Sequence, residues 1–407
     1  MKKNLFYTFA LLTALSTTAF LTAACGDDDD DTVISSSSDD DEDEDSSNSE
    51  FDEAADLDIT ADNLSSWKNY AYQVAKLLEE DANSLYYAWN TYYDYNNEAF
   101  AITFKNHNNT NDYSSALDCI YTIIDYCVDI TDEVGNSKIG DPYNEYMAGN
   151  YTEALYAVES WYSWHSRDDY ANNIRSIRNS YYSSLDSTVN DASLYTIVES
   201  LDPTLNAQVA AAIEEAKDAI LAIPQPFRNN IDDATVPVAQ QACLDLGELF
   251  DEDVRAVIRS AYSTNQDAEE LDAAVTTYVD EVVVPTYKSL SEKNADLCDA
   301  VEAFYNDPTD EAIEEACDAW LVAREPWEKS EAFLFGPVDE LGLDPNMDSW
   351  PLDQVAIVNI LESGNYDDLN WSDEDSDEDI EASQEVRGFH TLEFLLFKDG
   401  EPRTITE

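Results

Sequence analysis

The sequence predicts an all-α protein, and three observations carry that expectation. Only 10 of the 407 residues are Gly, far below the roughly 7% of ordinary proteins, so tight turns are few. Beyond Ala61, apolar residues recur at three- and four-residue steps, the period of a helix with one buried face. No window sustains the alternation of a strand. With 44% hydrophobic residues, 25 Tyr and 8 Trp, such helices carry enough apolar surface for sizeable cores. The 88 acidic side chains face only 20 basic ones, a formal charge of −68. That charge repels nucleic acid, whose binding depends on Lys and Arg neutralising phosphates, and it repels anionic membrane surfaces. Neither is expected as a ligand.

Residues 1–24 read as a secretion signal: Lys2 and Lys3, an apolar run from Leu5 to Leu21, then small residues. The run is too short to be kept as a membrane span. Its end, Leu21-Thr22-Ala23-Ala24-Cys25, resembles the lipobox of bacterial lipoproteins, which implies lipidation at Cys25 and membrane attachment through that lipid only. Residues 26–60 hold 17 acids and no Lys or Arg. Such a segment buries too little apolar area to offset its ordering entropy, so 25–60 is expected to be a disordered tether. The acids directly after Cys25 resemble the surface-export signal of Bacteroidetes lipoproteins. The expected address is therefore the bacterial outer membrane, facing the surface or the periplasm.

Helical periods follow in 72–89, 115–131, 152–164, 168–184, 205–222, 235–249, 267–305, 310–335 and 383–398. Breakers separate them: 135–142, Pro203, Pro224 with Pro226, Asp307-Pro308, and the stretch from Gly336-Pro337 to Trp350-Pro351. The acidic patch 367–379 reads as a long loop. Two packed helical bundles are expected, 61–255 and 256–407. In an exported protein disulfides persist, and Cys298 and Cys317 lie almost symmetrically about the Asp307-Pro308 turn. They are expected to bridge a helical hairpin. Cys119 and Cys127 are eight apart on one helix, roughly 12 Å along its axis, which excludes a bond between them. One of them pairs with Cys243, or all three stay free and buried.

Three segments carry chemistry. His390 and Glu393 are three apart in an apolar helix, so they share a face, and a buried carboxylate and imidazole need partners. A His–Glu hydrogen bond within a core satisfies the same pattern. Glu159, Ser163, Ser166, Asp169 and Asn173 follow steps of 4, 3, 3 and 4. On one helix they form a polar stripe of small side chains, suited to a narrow cleft or to a solvated face. Ser330 and Glu331 precede an aromatic run ending at Gly336-Pro337. His107 lies in a polar stretch and is expected to be solvated.

Gly388-Phe389-His390-Thr391-Leu392-Glu393 resembles the GxHxxE signature of the imelysin family, a peptidase M75 family. Residues 324–336 and Ser349-Trp350-Pro351-Leu352 resemble what precedes that signature, and 66–90 with 118–245 resemble the family's later half. The order is reversed, as in a circular permutation, which is tolerated where the original termini lie close together. The resemblance implies two related bundles with a cleft at their interface, and a link to iron uptake. It implies ligand contacts at Glu331, Ser330, Arg387, Gly388, Trp350 and the Glu159–Asn173 stripe, with His390, Glu393 and Glu331 as metal ligands. Hard carboxylates with one imidazole suit iron or another divalent metal. The implied function is surface-anchored binding of iron, an iron chelate or another small ligand, working with outer-membrane uptake machinery. The alternative is a metallopeptidase with His390 and Glu393 as catalytic residues.

Overall fold

The computed structural model describes residues 57–93, 97–107, 113–372 and 375–406. The signal sequence and Cys25 lie outside the described residues. The long amphipathic segments form helices where the period predicts them, and two sets of four account for most of the core. In the first, α1 (Leu64–Asn90) packs against α6 (Val284–Asn306), α6 against α7 (Asp310–Glu328), α7 against α9 (Gly388–Leu396), and α9 back against α1. In the second, α2 (Ala116–Asp132) packs against α5 (Val236–Glu248), α5 against α4 (Pro203–Leu221), α4 against α3 (Ser166–Tyr182), and α3 against α2. Leu64–Asn90 lies N-terminal to residue 255 yet takes its place among C-terminal helices. The two sets meet where α3 crosses α7 and where the turn Glu331–Phe333 inserts against α2 and α3.

Local chemistry explains the main boundaries. In α1, Trp67, Tyr70, Ala71, Val74, Leu78, Ala82, Leu85 and Trp89 form one buried stripe at helical spacing. Helix α7 starts at Thr309, whose side chain accepts from the Ala312 N–H, and Asp310 and Glu311 in its first turn favour the positive end of the helix dipole. Helix α9 starts at Gly388, where φ is +85°. A Cβ there would sit 2.5 Å from the Met347 carbonyl oxygen, so only glycine lets this helix approach α8 (Leu343–Asp348) so closely.

Several expectations are corrected. Residues 135–142 do not break the chain: a π-helical segment, Glu133–Gly140, carries α2 straight into the helix Asp141–Ala148. The helix expected over 152–164 stops at Tyr156. Residues 157–165 instead form a tight turn, with positive φ at Ser160 and Trp164. The folded body begins before Ala61: Ile59–Thr60 pair with Ile405–Thr406 in a parallel two-stranded sheet, and the buried Arg403 donates to the Leu57 carbonyl. His107 is buried and bonds Asp272 at 2.7 Å. All five described cysteines are free thiols. The expected Cys298–Cys317 bridge is absent because the two sulfurs serve different neighbours. Cys317 donates to the Leu396 carbonyl, while Cys298 faces Glu79 on α1. Among the described residues no helix is long and apolar enough to cross a membrane.

Candidate functional site

The GxHxxE helix turns both of its polar side chains inward, where each is fully engaged. His390 Nδ1 lies 3.2 Å from Glu393 Oε2, and its Nε2 lies 3.2 Å from Asp348 Oδ1. Burial and the nearby Arg324 oppose a charged ring; Asp348 and Glu393 outweigh them and take His390 up to about 9. Arg324 Nη2 also lies 3.3 Å from Nε2, so this nitrogen faces both a carboxylate and a guanidinium. Glu393 Oε1 accepts from the Ser163 N–H at 2.8 Å and from its hydroxyl at 2.7 Å. Trp350 packs edge-on against the His390 ring, 4.8 Å between centroids.

The strained turn before α3 makes this contact. Positive φ at Ser160 (+49°) and Trp164 (+60°) is costly for residues other than glycine, and such strain concentrates at functional sites. Ser160 donates to Asp169 Oδ2 at 2.6 Å, and His165 Nδ1 lies 2.8 Å from Asp169 Oδ1. Ser166 donates to the Glu159 carbonyl. The stripe 159–173 is thus a turn joined to a helix and not one continuous helical face. Its members still converge: Ser163 on Glu393, Asp169 on Arg324, Asn173 on Glu328.

At the centre is Arg324, fully buried in α7. It pairs with Asp348, with Glu328 at 2.6 Å and more distantly with Asp169 at 3.6 Å. Trp327 Nε1 donates to Asp348 Oδ2 at 2.6 Å. Burial tends to raise Asp348, but Arg324 and His390 hold it well below the usual carboxylate range. Asn173 Nδ2 donates to Glu328 Oε2 at 2.6 Å.

Next to this network carboxylates outnumber cations. Ligand atoms of Glu328, Glu331 and Asp348 all lie within 4.8 Å of one another, the one trio of metal-ligating side chains this close among the described residues. Glu331 is 5% exposed. No hydrogen bond or ion pair reaches its carboxylate, and burial pushes it well above the usual range. Burial pushes Glu328 up to about 8, Arg324 offsetting part of the effect. Burial with the nearby Asp348 pushes Asp344 up to about 7. An isolated buried carboxylate is costly unless it is paired, protonated or bound to a metal.

The residues expected from sequence therefore separate. Glu331 joins Glu328 and Asp348. His390 and Glu393, expected as metal ligands, are not members of the trio; they engage Asp348 and Ser163. Ser330 bonds back to the Trp327 carbonyl at the end of α7. Arg387 is drawn away to Asp81 and the Leu369 carbonyl, and Gly388 serves the close approach of α9 to α8. Glu159 reaches only Lys138. Sequence reasoning missed Arg324, Glu328, Asp348 and Lys138. Arg324 and Glu328 had a signal: they continue the buried stripe Ile313, Ala316, Cys317, Trp320, Ala323, Trp327, where two charges four apart are out of place. Asp348 had none among 88 acids.

Comparison with known proteins agrees with this architecture. A crystal structure of an imelysin peptidase from Bacteroides ovatus is 54% identical and superposes with a TM-score of 0.85, covering 87% of this chain and 100% of that one. The iron-regulated protein A of Synechococcus elongatus is 36% identical over 126 residues, 31% of either chain. The chain thus matches about a third of that relative's length. The imelysin (peptidase M75) family profile matches residues 37–252 and 283–407, and the chain belongs to the imelysin family.

Proposed function

We propose that this protein binds iron, as the ion or as a chelate, at the junction of the two helix sets and serves iron uptake. The observation that carries the reading is the buried trio Glu328, Glu331 and Asp348, with the Glu331 carboxylate unpaired. Three carboxylate donors suit a hard cation, and a soft metal would prefer sulfur. His390 acts through Asp348, holding that carboxylate in place and ionised. The similarity to an iron-regulated protein supports the same direction. The peptidase reading is less well supported, because His390 and Glu393 engage Asp348 and Ser163 and stand outside the trio.

The lipobox-like ending at Cys25 supports export and lipid anchoring at the outer membrane, where the protein would deliver iron to uptake machinery. The reversed order of the family-like halves supports a circular permutation. The adjacency of Ile59–Thr60 and Ile405–Thr406 and the interruption of the family match at 253–282 favour it. The test is ferrous ion binding to the purified full chain under anaerobic conditions, measured by competition with a chromophoric chelator. Wild type is expected to bind, and Glu331→Gln to lose at least tenfold in affinity; equal affinity of the two would refute the site.

A further inference from the structure

Lys138 acts on the carboxylate trio through its ammonium group. It lies on the π-helical segment Glu133–Gly140, a type of insertion that occurs frequently at functional sites. The side chain is 4% exposed. Its Nζ stands between Glu159 at 3.0 Å and Glu133 at 3.1 Å. Glu159 is largely buried, whereas Glu133 is 49% exposed at the rim. The charge of Lys138 also acts on Glu331 and Glu328. The backbone two residues on is closely packed: a Cβ at Gly140 would meet Gln240 Nε2 at 2.5 Å and the Gly135 carbonyl oxygen at 2.8 Å.

Seven carboxyl groups, Glu133, Glu159, Asp169, Glu328, Glu331, Asp344 and Asp348, share two permanent cations, Lys138 and Arg324. Arg324 is committed to Asp348, Glu328 and Asp169. Glu331 is left over, although it is 95% buried and lies against the other two members of the trio. We propose that Lys138 is a tethered counter-ion and gate of the iron site: from its place between Glu159 and Glu133 its ammonium group stabilises the carboxylates in the empty state, and it moves outward past the rim carboxylate Glu133 when iron enters. This rests on the assignment of Glu328, Glu331 and Asp348 as the iron site. A cation of charge two or more gains more from these carboxylates than a single ammonium does, because Coulomb attraction scales with charge. Exchange of the ammonium for iron is then favourable, while exchange for a monovalent ion is not.

The test compares ferrous ion binding to the full chain in wild type, Lys138→Met, Lys138→Arg and Glu331→Gln. Lys138→Met removes the competing charge at nearly constant volume and should bind at least tenfold more tightly, with Lys138→Arg near wild type. Unchanged or weaker binding by Lys138→Met, while Glu331→Gln still abolishes binding, overturns the gate and leaves the iron site standing. Equal binding by Glu331→Gln and wild type instead overturns the site itself. Should Lys138→Met fail to fold, Lys138→Gln retains a donor for Glu159 and is read in the same way. If both fold only when ferrous ion is present, the ion has replaced the ammonium, as proposed. If ferrous ion rescues neither, no cation substitutes for Lys138 and the proposal falls.

Discussion

Replacing Glu393 with Ala should cost fold stability, whereas replacing Glu331 with Gln should cost ligand binding and little else. Glu393 accepts two hydrogen bonds from Ser163 and faces the His390 ring, all within a fully buried helix. Truncation orphans two Ser163 donors and removes one of the two carboxylates that sustain the His390 charge. Each hydrogen bond to a charged group contributes roughly 1.5–3 kcal/mol, and breaking a buried ion pair on one side costs about 3–5 kcal/mol. We expect a loss of about 3–5 kcal/mol, which at roughly 2 °C per kcal/mol for a large domain is a melting shift of about 6–10 °C. Glu331 makes no hydrogen bond or ion pair, and burial already disfavours its charge. Glu331→Gln, of nearly the same volume, should shift melting by less than about 2 °C. Urea denaturation and thermal melting followed by circular dichroism measure both on matched samples. A loss below 1 kcal/mol for Glu393→Ala, or a large loss for Glu331→Gln, would refute the division between a structural His–Glu pair and a binding carboxylate.

Three further outcomes are expected. Gly388→Ala should destabilise by roughly 1–3 kcal/mol from backbone strain at φ +85° alone, with more from the overlap with the Met347 carbonyl; urea denaturation measures it. Burial opposes the charge at His165, but Asp169 outweighs it and takes the ring up to about 9, above the ordinary ~6.5. The charged form thus stabilises the fold, fully below about pH 6.5 and progressively less as pH rises toward 9. The stability difference between wild type and His165→Gln should be largest near pH 6 and shrink across that window. Unfolded Cys25→Ser protein without reductant should titrate five thiols with Ellman's reagent; three would restore the Cys298–Cys317 bridge.

The fold class was legible because amphipathic period and scarce glycine act locally. Helix α1, with its stripe from Trp67 to Trp89, needs no knowledge of its partner to be recognised. Partnership was less legible: α1 packs with helices more than 190 residues away, and apolar stripes do not name their mates. The turn at 157–165 was misread because Glu159 to Asn173 keeps a helical polar spacing through residues that adopt left-handed backbone. The π-helical segment was misread because Gly135, Gly140 and Pro142 suggest a break, whereas here the glycines let the segment pack closely against α5. At the site, His390, Glu393 and Glu331 stood out by motif. Their division of labour did not, since it depends on Asp348 arriving from α8 and Ser163 from the turn. The cysteines show the same limit: symmetric placement about a turn sets two thiols near each other along their helices without deciding which way each sulfur points.

The most direct test of an iron site at Glu328, Glu331 and Asp348 is anomalous diffraction at the iron edge from crystals grown with ferrous ion. The account predicts a single interior peak within about 2–2.5 Å of carboxylate oxygens from these three residues, the distance range for oxygen ligands of small divalent cations. A peak bonded to His390 Nε2 and Glu393 instead, or no interior peak from protein that binds iron in solution, would contradict it.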